Sequence, residues 1–386
     1  MSEEQIETVQ QPWERTALKP TRVAVIGLGY VGLPLALAFA KRGEVAALGI
    51  DVDPSKAEAI SDGRSYIKHV AAADIAEQVR AGMFEATTDM SRASTCDAVV
   101  ICVPTPLTPE REPDLSYIQA TASALAPHVR AGQLIVLEST TYPGTTVEVL
   151  KPLLERGSGL VAGRDFYLAF SPEREDPGSS TKTHAIPKVV GGYTPRCMEA
   201  AMTLYGRAFE RIVPVSSCEV AEMTKLLENI FRSVNIALVN ELKMLCDRMN
   251  LDVWEVIDAA STKPFGFMAF QPGPGLGGHC IPLDPFYLSW KAAEYGAWAR
   301  FIELAGEVNT RMPRYVVGKV AEALNADGKP LHGSRVLVLG LAYKANIDDD
   351  RESPSYEIIE LLKETGARVE YCDPFFPEAR PGRKHN

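Results

Sequence analysis

From Arg22 onward, short apolar runs alternate with stretches in which apolar positions recur at helical spacing. The runs RVAVIG, VAALGID, DAVVICV, LIVLEST and DFYLAFS read as parallel strands joined by helical crossovers. Together they predict a Rossmann-like doubly wound α/β sheet over residues 21–217. Between Glu219 and Met249 no Gly or Pro interrupts the helical spacing, which predicts one long helix opening a central helical domain over 218–330. From Arg335 the first pattern restarts, and RVLVLGLAYKA overlays RVAVIGLGYVG at its Arg, Val, Gly, Leu and Tyr. The chain is therefore expected to hold a second Rossmann-like domain over 331–386, cut short, since the residues after Ser334 suffice for about one strand, one helix and one strand. Residues 1–20 are polar and aperiodic and read as a disordered tail.

The length of 386 residues fits two to three domains of about 150 each. A content of 46% hydrophobic and 23% charged residues is that of a globular protein rather than a fibre or a disordered chain. The net charge of -10 excludes a phosphate backbone as the expected partner, because that needs a strong basic face. The seven cysteines are scattered without a C-x-x-C pair, so they read as reduced thiols of a cytoplasmic chain with no metal site. No run reaches the ~20 apolar residues of a membrane span, and the N-terminus is too polar for a signal peptide.

Candidate chemistry begins at Gly27-Leu28-Gly29-Tyr30-Val31-Gly32, which follows a strand and opens a helix. Its glycines allow a tight turn, close approach of a pyrophosphate and helix-on-strand packing, and the helix N-terminus then faces the phosphates. Asp51, about 20 residues beyond the last glycine, ends the next strand, where a carboxylate accepts ribose hydroxyls and opposes a 2′-phosphate. This combination predicts NAD rather than NADP as cofactor. In the second half Gly340 is kept, but Ala342 and Ala345 replace Gly29 and Gly32, and Lys344 is new. That half suits phosphate or sugar better than a dinucleotide held in the same way.

The most informative stretch is Pro272-Gly-Pro-Gly-Leu-Gly-Gly-His-Cys-Ile-Pro-Leu-Asp284. A thiol in a glycine-lined loop is exposed and lets a substrate approach the backbone, so Cys280 reads as reactive rather than as a structural cysteine in a turn. His279 either lowers the pKa of its neighbour or shapes the loop. On the long helix Lys225 and Asn229 are four apart and share a face, where an ammonium and an amide can address one developing oxyanion. An ordinary solvated pair would have the same spacing. Glu138, Ser139, Thr140 and Glu173 fall at strand ends, where open α/β sheets bind ligands and where capping residues also occur.

Taken together, G-L-G-Y-V-G-L-P, S-T-T-Y-P-G-T-T, S-P-E-R-E-D-P-G, the K-L-L-E-N helix, G-G-H-C-I-P-L-D-P and G-L-A-Y-K resemble, in order, the UDP-glucose/GDP-mannose dehydrogenase family. The form of the cysteine loop is most similar to that of UDP-N-acetylglucosamine 6-dehydrogenases. The resemblance implies an NAD-dependent four-electron oxidation of carbon 6 of a UDP-hexose, serving surface polysaccharide precursors. The aldehyde is captured by Cys280, oxidised as a thiohemiacetal, and released by hydrolysis of the thioester. It further implies that Lys225 and Asn229 stabilise the oxyanions, that Asp284 orders water and moves protons, and that Thr140 and Glu173 lie near that water. The spacing after Glu173 departs from the UDP-glucose type. Gly277, Gly278, Lys344 and Arg351 match substrate-gripping positions, and the long helix matches a dimer core, so a homodimer or higher homo-oligomer is expected.

Two other readings share parts of this pattern. A one-step hydroxy-acid dehydrogenase shares the dinucleotide fold and a Lys-x-x-x-Asn helix but has no need for a cysteine in a glycine loop. A non-catalytic nucleotide-sugar-binding protein accords with a short C-terminal domain. The count of NADH released per sugar consumed separates the three, at about two, one or zero, because only a covalent intermediate splits the oxidation in two.

Overall fold

The computed structural model describes residues 21–42, 45–68, 70–108, 112–174, 183–278, 284–345, 347 and 349–378. The N-terminal tail, His279 and Cys280 lie outside the described residues. Two compact units divide the chain, one of residues 1–106 and 114–225, the other of residues 107–113 and 226–386.

In the first unit an eight-stranded sheet runs in the order β3-β2-β1-β4-β5-β6-β7-β8. The strands are β1 (Arg22–Ile26), β2 (Ala46–Ile50), β3 (Phe84–Thr87), β4 (Ala98–Ile101), β5 (Leu134–Leu137), β6 (Tyr167–Phe170), β7 (Lys188–Gly192) and β8 (Ile212–Val215). The order reverses at β1, where β2 and β4 pair on either side of it, as a doubly wound sheet requires. Strands β4, β5 and β7 are buried along their whole length, because helices cover both faces of a parallel sheet. Helix α1 (Gly32–Lys41) packs Leu33, Leu35, Ala36, Phe39 and Ala40 into the same core as Val23 and Val25. Helix α2 (Pro54–Ser61) starts where Asp53 accepts from the Ser55 amide, with Pro54 in the first turn.

Three strands depart from the pattern read off the sequence. Strand β3 is a four-residue edge, β7 carries Lys188 and two glycines, and β8 contains Pro214, which is tolerated because β8 is an edge strand. The five strands read from the sequence pair in parallel, and the pairing of β6 with β7, a strand outside that reading, is antiparallel.

Helix α7 (Cys218–Met249) follows β8, after helices α3 (Ala72–Arg80), α4 (Ser116–Leu125), α5 (Lys151–Ser158) and α6 (Pro195–Tyr205). It spans 32 residues, as its unbroken periodicity predicts. The second unit adds α8 (Val253–Ser261), α9 (Asp284–Glu294), α10 (Arg300–Ala326), β9 (Arg335–Leu339), α11 (Pro354–Glu364) and β10 (Arg368–Cys372). Strands β9 and β10 are parallel, and Ile358 and Leu362 of α11 pack with Val316, Val317 and Val320 of α10 and with Val336 and Val338 of β9. No helix among the described residues is long and apolar enough to cross a membrane.

The first turns of α7 are tied to the sheet end by a buried carboxylate. Glu222 is fully buried and accepts from the Gly144 amide at 2.6 Å, the Thr146 amide at 2.9 Å and the Thr146 hydroxyl at 2.7 Å. Burial pushes its pKa up to about 7 from 4.5, against the pull of these three donors. Between those values the folded chain keeps a proton that the unfolded chain has released, so this contribution to stability is complete below about pH 4.5 and lost as the pH rises to about 7. The unfolding free energy of the parent minus that of Glu222→Gln is therefore expected to fall across this window, by up to about 1.4 kcal/mol per pH unit. Urea melts at a series of pH values measure it, and a flat difference would show that Glu222 stays ionised throughout.

Candidate active site

The glycine turn after β1 divides its three tasks among three glycines. Gly27 has φ +90°, and a Cβ there would sit 2.5 Å from the Cys102 carbonyl oxygen. A Cβ on Gly32 would lie 1.9 Å from the Gly27 carbonyl oxygen, so this glycine lets α1 close on the turn. At Gly29 a Cβ would meet nothing within 4 Å. The chain itself makes no demand for glycine there, which fits a position kept clear for a pyrophosphate. Val31, at the N-cap of α1, makes no side-chain cap bond, as suits a helix end that receives an anion. These features fit NAD, which when bound supplies the hydride acceptor.

Asp51 is 7% exposed and does more than the sequence reading asked of it. Its carboxylate accepts from the Leu28 amide at 2.7 Å, the Asp53 amide at 3.0 Å and Lys56 Nζ at 2.9 Å. The Tyr66 hydroxyl donates to the Leu28 carbonyl at 2.8 Å, and burial beside Asp51 and Asp53 pushes that phenol's pKa up, so it remains a donor. Asp51 thus holds the turn in shape. Neither Lys56 nor Tyr66 was legible in the motif, although Lys56 sits one helical turn into α2.

The second half repeats this device. Gly340 has φ +92°, its amide donates to the Cys372 carbonyl at 2.9 Å, and the Leu341 amide donates to Asp373 Oδ2 at 2.7 Å. In the first half Gly27 donates to the Ile50 carbonyl at 2.8 Å and Leu28 to Asp51. Asp373 is the counterpart of Asp51, and its four backbone donors hold its pKa down in spite of burial.

At the carboxyl ends of β4 and β5, the Thr105 hydroxyl donates to the Thr140 carbonyl and the Ser139 hydroxyl to the Val103 carbonyl, each at 2.7 Å. Lys225, 5% exposed, lies 3.6 Å from Glu173. Glu138, at a strand end, is buried against Lys188 at 2.8 Å and accepts from the Tyr205 hydroxyl. Glu138, Glu173, Arg174, Lys188 and Val31 line a cavity of about 20 Å³.

In the second unit, Asn229 Nδ2 donates to Asp284 Oδ2 at 2.5 Å, and both residues are buried. The Gly278 amide donates to the Arg351 carbonyl at 3.1 Å. A Cβ on Gly277 would lie 2.4 Å from Tyr343 Cβ, so the glycine pair is required by its packing on the A-Y-K segment. The structure thereby brings together Gly277, Gly278 and Arg351, next to Lys344. The Arg351 guanidinium pairs in a fork with Asp349. Two buried amides missed by sequence reasoning tie the loop to α7. Asn240 accepts from the Gly273 amide at 2.9 Å and donates to Asn309, which donates to the Ser233 carbonyl at 3.1 Å.

Among the described cysteines, Cys96, Cys197, Cys218 and Cys246 are buried. Burial pushes up the thiols of Cys96, Cys102 and Cys218, which suppresses the thiolate needed for attack.

Known proteins share this arrangement along nearly the whole chain. Residues 21–209 match the NAD binding domain of the UDP-glucose/GDP-mannose dehydrogenase family, 219–311 its central domain and 337–385 its UDP binding domain. The chain belongs to the UDP-glucose/GDP-mannose dehydrogenase family. An NDP-N-acetyl-D-galactosaminuronic acid dehydrogenase of Ralstonia solanacearum is 40% identical over 88% of this chain and 79% of its own. A UDP-N-acetyl-D-glucosamine 6-dehydrogenase of Pseudomonas aeruginosa is 36% identical over 93% of this chain and 84% of its own. The solved UDP-D-ManNAc dehydrogenase of Pyrococcus horikoshii superposes with a TM-score of 0.85 at 35% identity, covering 92% of this chain and 84% of that one. As a member of this family the protein is an NAD-dependent nucleotide-sugar dehydrogenase.

The glycine geometry of this dehydrogenase predicts opposite phenotypes for two neighbouring substitutions. Gly32→Ala drives a methyl into the Gly27 carbonyl and should lower unfolding stability by about 1–3 kcal/mol. Gly29→Ala should leave urea unfolding unchanged but weaken NAD binding about tenfold or more, a loss of at least about 1.4 kcal/mol. Urea melts and calorimetric NAD titrations together decide it, and similar stability losses in both variants would refute the division of tasks.

Proposed function

We propose that the enzyme oxidises carbon 6 of a UDP-N-acetylhexosamine, UDP-N-acetylglucosamine by preference, twice, from alcohol to carboxylate, for surface polysaccharide precursors. The observation that carries the reading is the buried Asn229–Asp284 pair, because it fixes a neutral amide and a carboxylate four residues beyond Cys280 on the described side of the cysteine loop. Three regions divide the labour: 21–217 holds NAD, 218–330 supplies the helices and cysteine loop, and 331–386 contributes to UDP binding.

In this reading Gly27, Gly29, Tyr30, Val31, Gly32 and Asp51 would hold NAD, which when bound would supply the hydride acceptor for each oxidation. The thiolate of Cys280 adds to the aldehyde carbon, since an aldehyde has no hydride to yield toward the acid level until a nucleophile has added. The Lys225 ammonium and the Asn229 amide stabilise the resulting oxyanion. Loss of the second hydride leaves a thioester, and water adds to its carbonyl, releasing the carboxylate and the Cys280 thiolate. Asp284, with Thr140 and Glu173, orders that water and takes its proton. Gly277, Gly278, Lys344 and Arg351 contact the UDP-sugar. The relatives' names span N-acetylated glucosamine, mannosamine and galactosaminuronic sugars, which supports an acetamido sugar over UDP-glucose.

The helix α7 also leaves a row of large apolar side chains exposed, among them Leu227, Phe231, Leu238, Leu242 and Leu245. An apolar stripe of that length on one helix marks an interface, and we read it as the core of a homodimer. Leu238→Asp/Leu245→Asp should convert the protein to monomer in sedimentation velocity at micromolar concentration. A parent that sediments as a monomer would remove this assignment.

Assays with UDP-N-acetylglucosamine, UDP-N-acetylmannosamine, UDP-N-acetylgalactosamine and UDP-glucose test the substrate. The expected result is highest kcat/KM on UDP-N-acetylglucosamine, with about two NADH per UDP-uronic acid. Cys280→Ala should abolish acid formation while leaving NAD and UDP-sugar binding within about twofold, as expected for loss of a nucleophile alone. Acid made by the alanine variant at near the parent rate would exclude the thioester route.

A further inference from the structure

We infer that the buried Lys188–Glu138 ion pair, completed by Tyr205, is a positioning device that sets the Glu173 carboxylate against Lys225. The inference rests on the reading of Glu173 and Lys225 as site residues.

Lys188 begins β7 and is 5% exposed, and Glu138, just beyond β5, is 2% exposed. Lys188 Nζ donates to Glu138 Oε2 at 2.8 Å and to the Pro172 carbonyl at 3.2 Å. The other carboxylate oxygen accepts from the Tyr205 hydroxyl at 2.5 Å. The ammonium also lies 5.2 Å from the Tyr205 ring centre and 5.3 Å from that of Phe209. Desolvating two charges costs more than their attraction returns in many such sites, so a buried pair adds little to stability over apolar residues of similar size. What an ammonium offers that an apolar side chain cannot is several donors from one atom. Here one donor goes to a carboxylate and another to a backbone carbonyl.

That carbonyl belongs to the residue preceding Glu173. On the other side, Arg174 Nη1 donates to the Pro187 carbonyl at 2.7 Å. Ser171 donates through its amide to Leu137 at 3.0 Å and through its hydroxyl to Val189 at 2.7 Å. Residues 171, 172 and 174 are thus each fixed to β5 or to the start of β7, and Glu173 lies between them, 3.6 Å from Lys225. Glu138, Lys188 and Glu173 line the same small cavity. The path from Tyr205 through Glu138, Lys188 and Pro172 to Glu173 lies within one compact unit, and it ends on a carboxylate beside the ammonium expected at the oxyanion.

Glu138→Leu/Lys188→Met removes both charges at nearly constant volume. Its unfolding midpoint should fall only as far as leaving the buried Tyr205 hydroxyl without its acceptor requires, while kcat on the UDP-sugar falls about 10- to 100-fold, the scale of an ångström-level misplacement. KM for NAD and for the sugar should remain within about twofold, as expected when positioning rather than ground-state binding is lost. A folded double variant with parental kcat would reduce the pair to a structural element and overturn the inference. If that variant fails to fold, Glu138→Gln/Lys188→Met keeps an amide oxygen for Tyr205 and carries the same expectation. A crystal structure of whichever variant folds supplies a readout independent of turnover. Glu173 should be more than about 1 Å farther from Lys225 than in the parent, again the misplacement that costs rate, and an unchanged distance overturns the inference. A parent inactive on every UDP-sugar would refute the proposed function instead, and the structural readout alone would then decide the positioning role.

Discussion

The nucleotide end of this enzyme depends on a carboxylate that hydrogen-bonds the backbone amide after a left-handed glycine. Asp51 receives the Leu28 amide, and without that acceptor the amide would be buried in a tight turn with no partner, a costly state for a backbone donor. The bond holds Gly27 at its positive φ and aims the following turn at the N-terminus of α1. Asp373 receives Leu341 in the same way. One solution to one problem thus occurs in both α/β regions, although their glycines differ. Asp51 has an additional load, since Lys56 shares its Oδ2 with the turn. The ammonium thus lies against the carboxylate that the motif assigns to the ribose, within the same turn.

How much of this could be read from residues alone depends on the range of the interactions. The glycine turn, the long helix and the repeat were legible because local spacing encodes them: glycine at positive φ, unbroken helical periodicity and two copies of one strand-turn pattern. Strands β7 and β8 were not, since a lysine with two glycines and a strand containing proline violate the compositional rules for strands. Lys188 at the start of β7 is paired with Glu138, 50 residues away, a separation that no local window contains. Glu138 stands at the expected place, a strand end, but its role is to receive a buried lysine. Likewise Asn240 and Asn309, 69 residues apart, look like ordinary helical polar residues until the fold sets them together beneath Gly273. The cysteine loop at Cys280 and His279 lies outside the described residues, and its reading rests on its motif and on its flanks at Gly277, Gly278 and Asp284.

The flanks also explain why the loop is so rich in glycine. Gly277 and Gly278 press on Tyr343, and a Cβ on either would meet that side chain at 3.0 Å or less. Gly275 has φ +140°, a conformation that other residues rarely adopt. Access to a reactive thiol, as read from the sequence, and close packing on the A-Y-K segment would therefore ask for the same residue type. The glycines that looked like a device for substrate access are at the same time a packing requirement between the cysteine loop and the segment carrying Lys344.

The two candidate oxyanion-stabilising groups on α7 are each matched with a carboxylate, with different consequences. Lys225 faces Glu173 at 3.6 Å, a separation longer than a strong charge-assisted bond, which sustains the ammonium's charge without closing a tight ion pair. Asn229 has no charge to sustain. Its bond to Asp284 instead fixes which end of the amide points at the acid, and an amide so oriented would meet an oxyanion, if it serves one as proposed, with little reorganisation. Exchanging the two residue types would lose both effects: an amide opposite Glu173 would contribute no positive charge, and an ammonium opposite buried Asp284 would be drawn into a closed ion pair. Lys225 thus faces a partly open carboxylate and Asn229 a buried one.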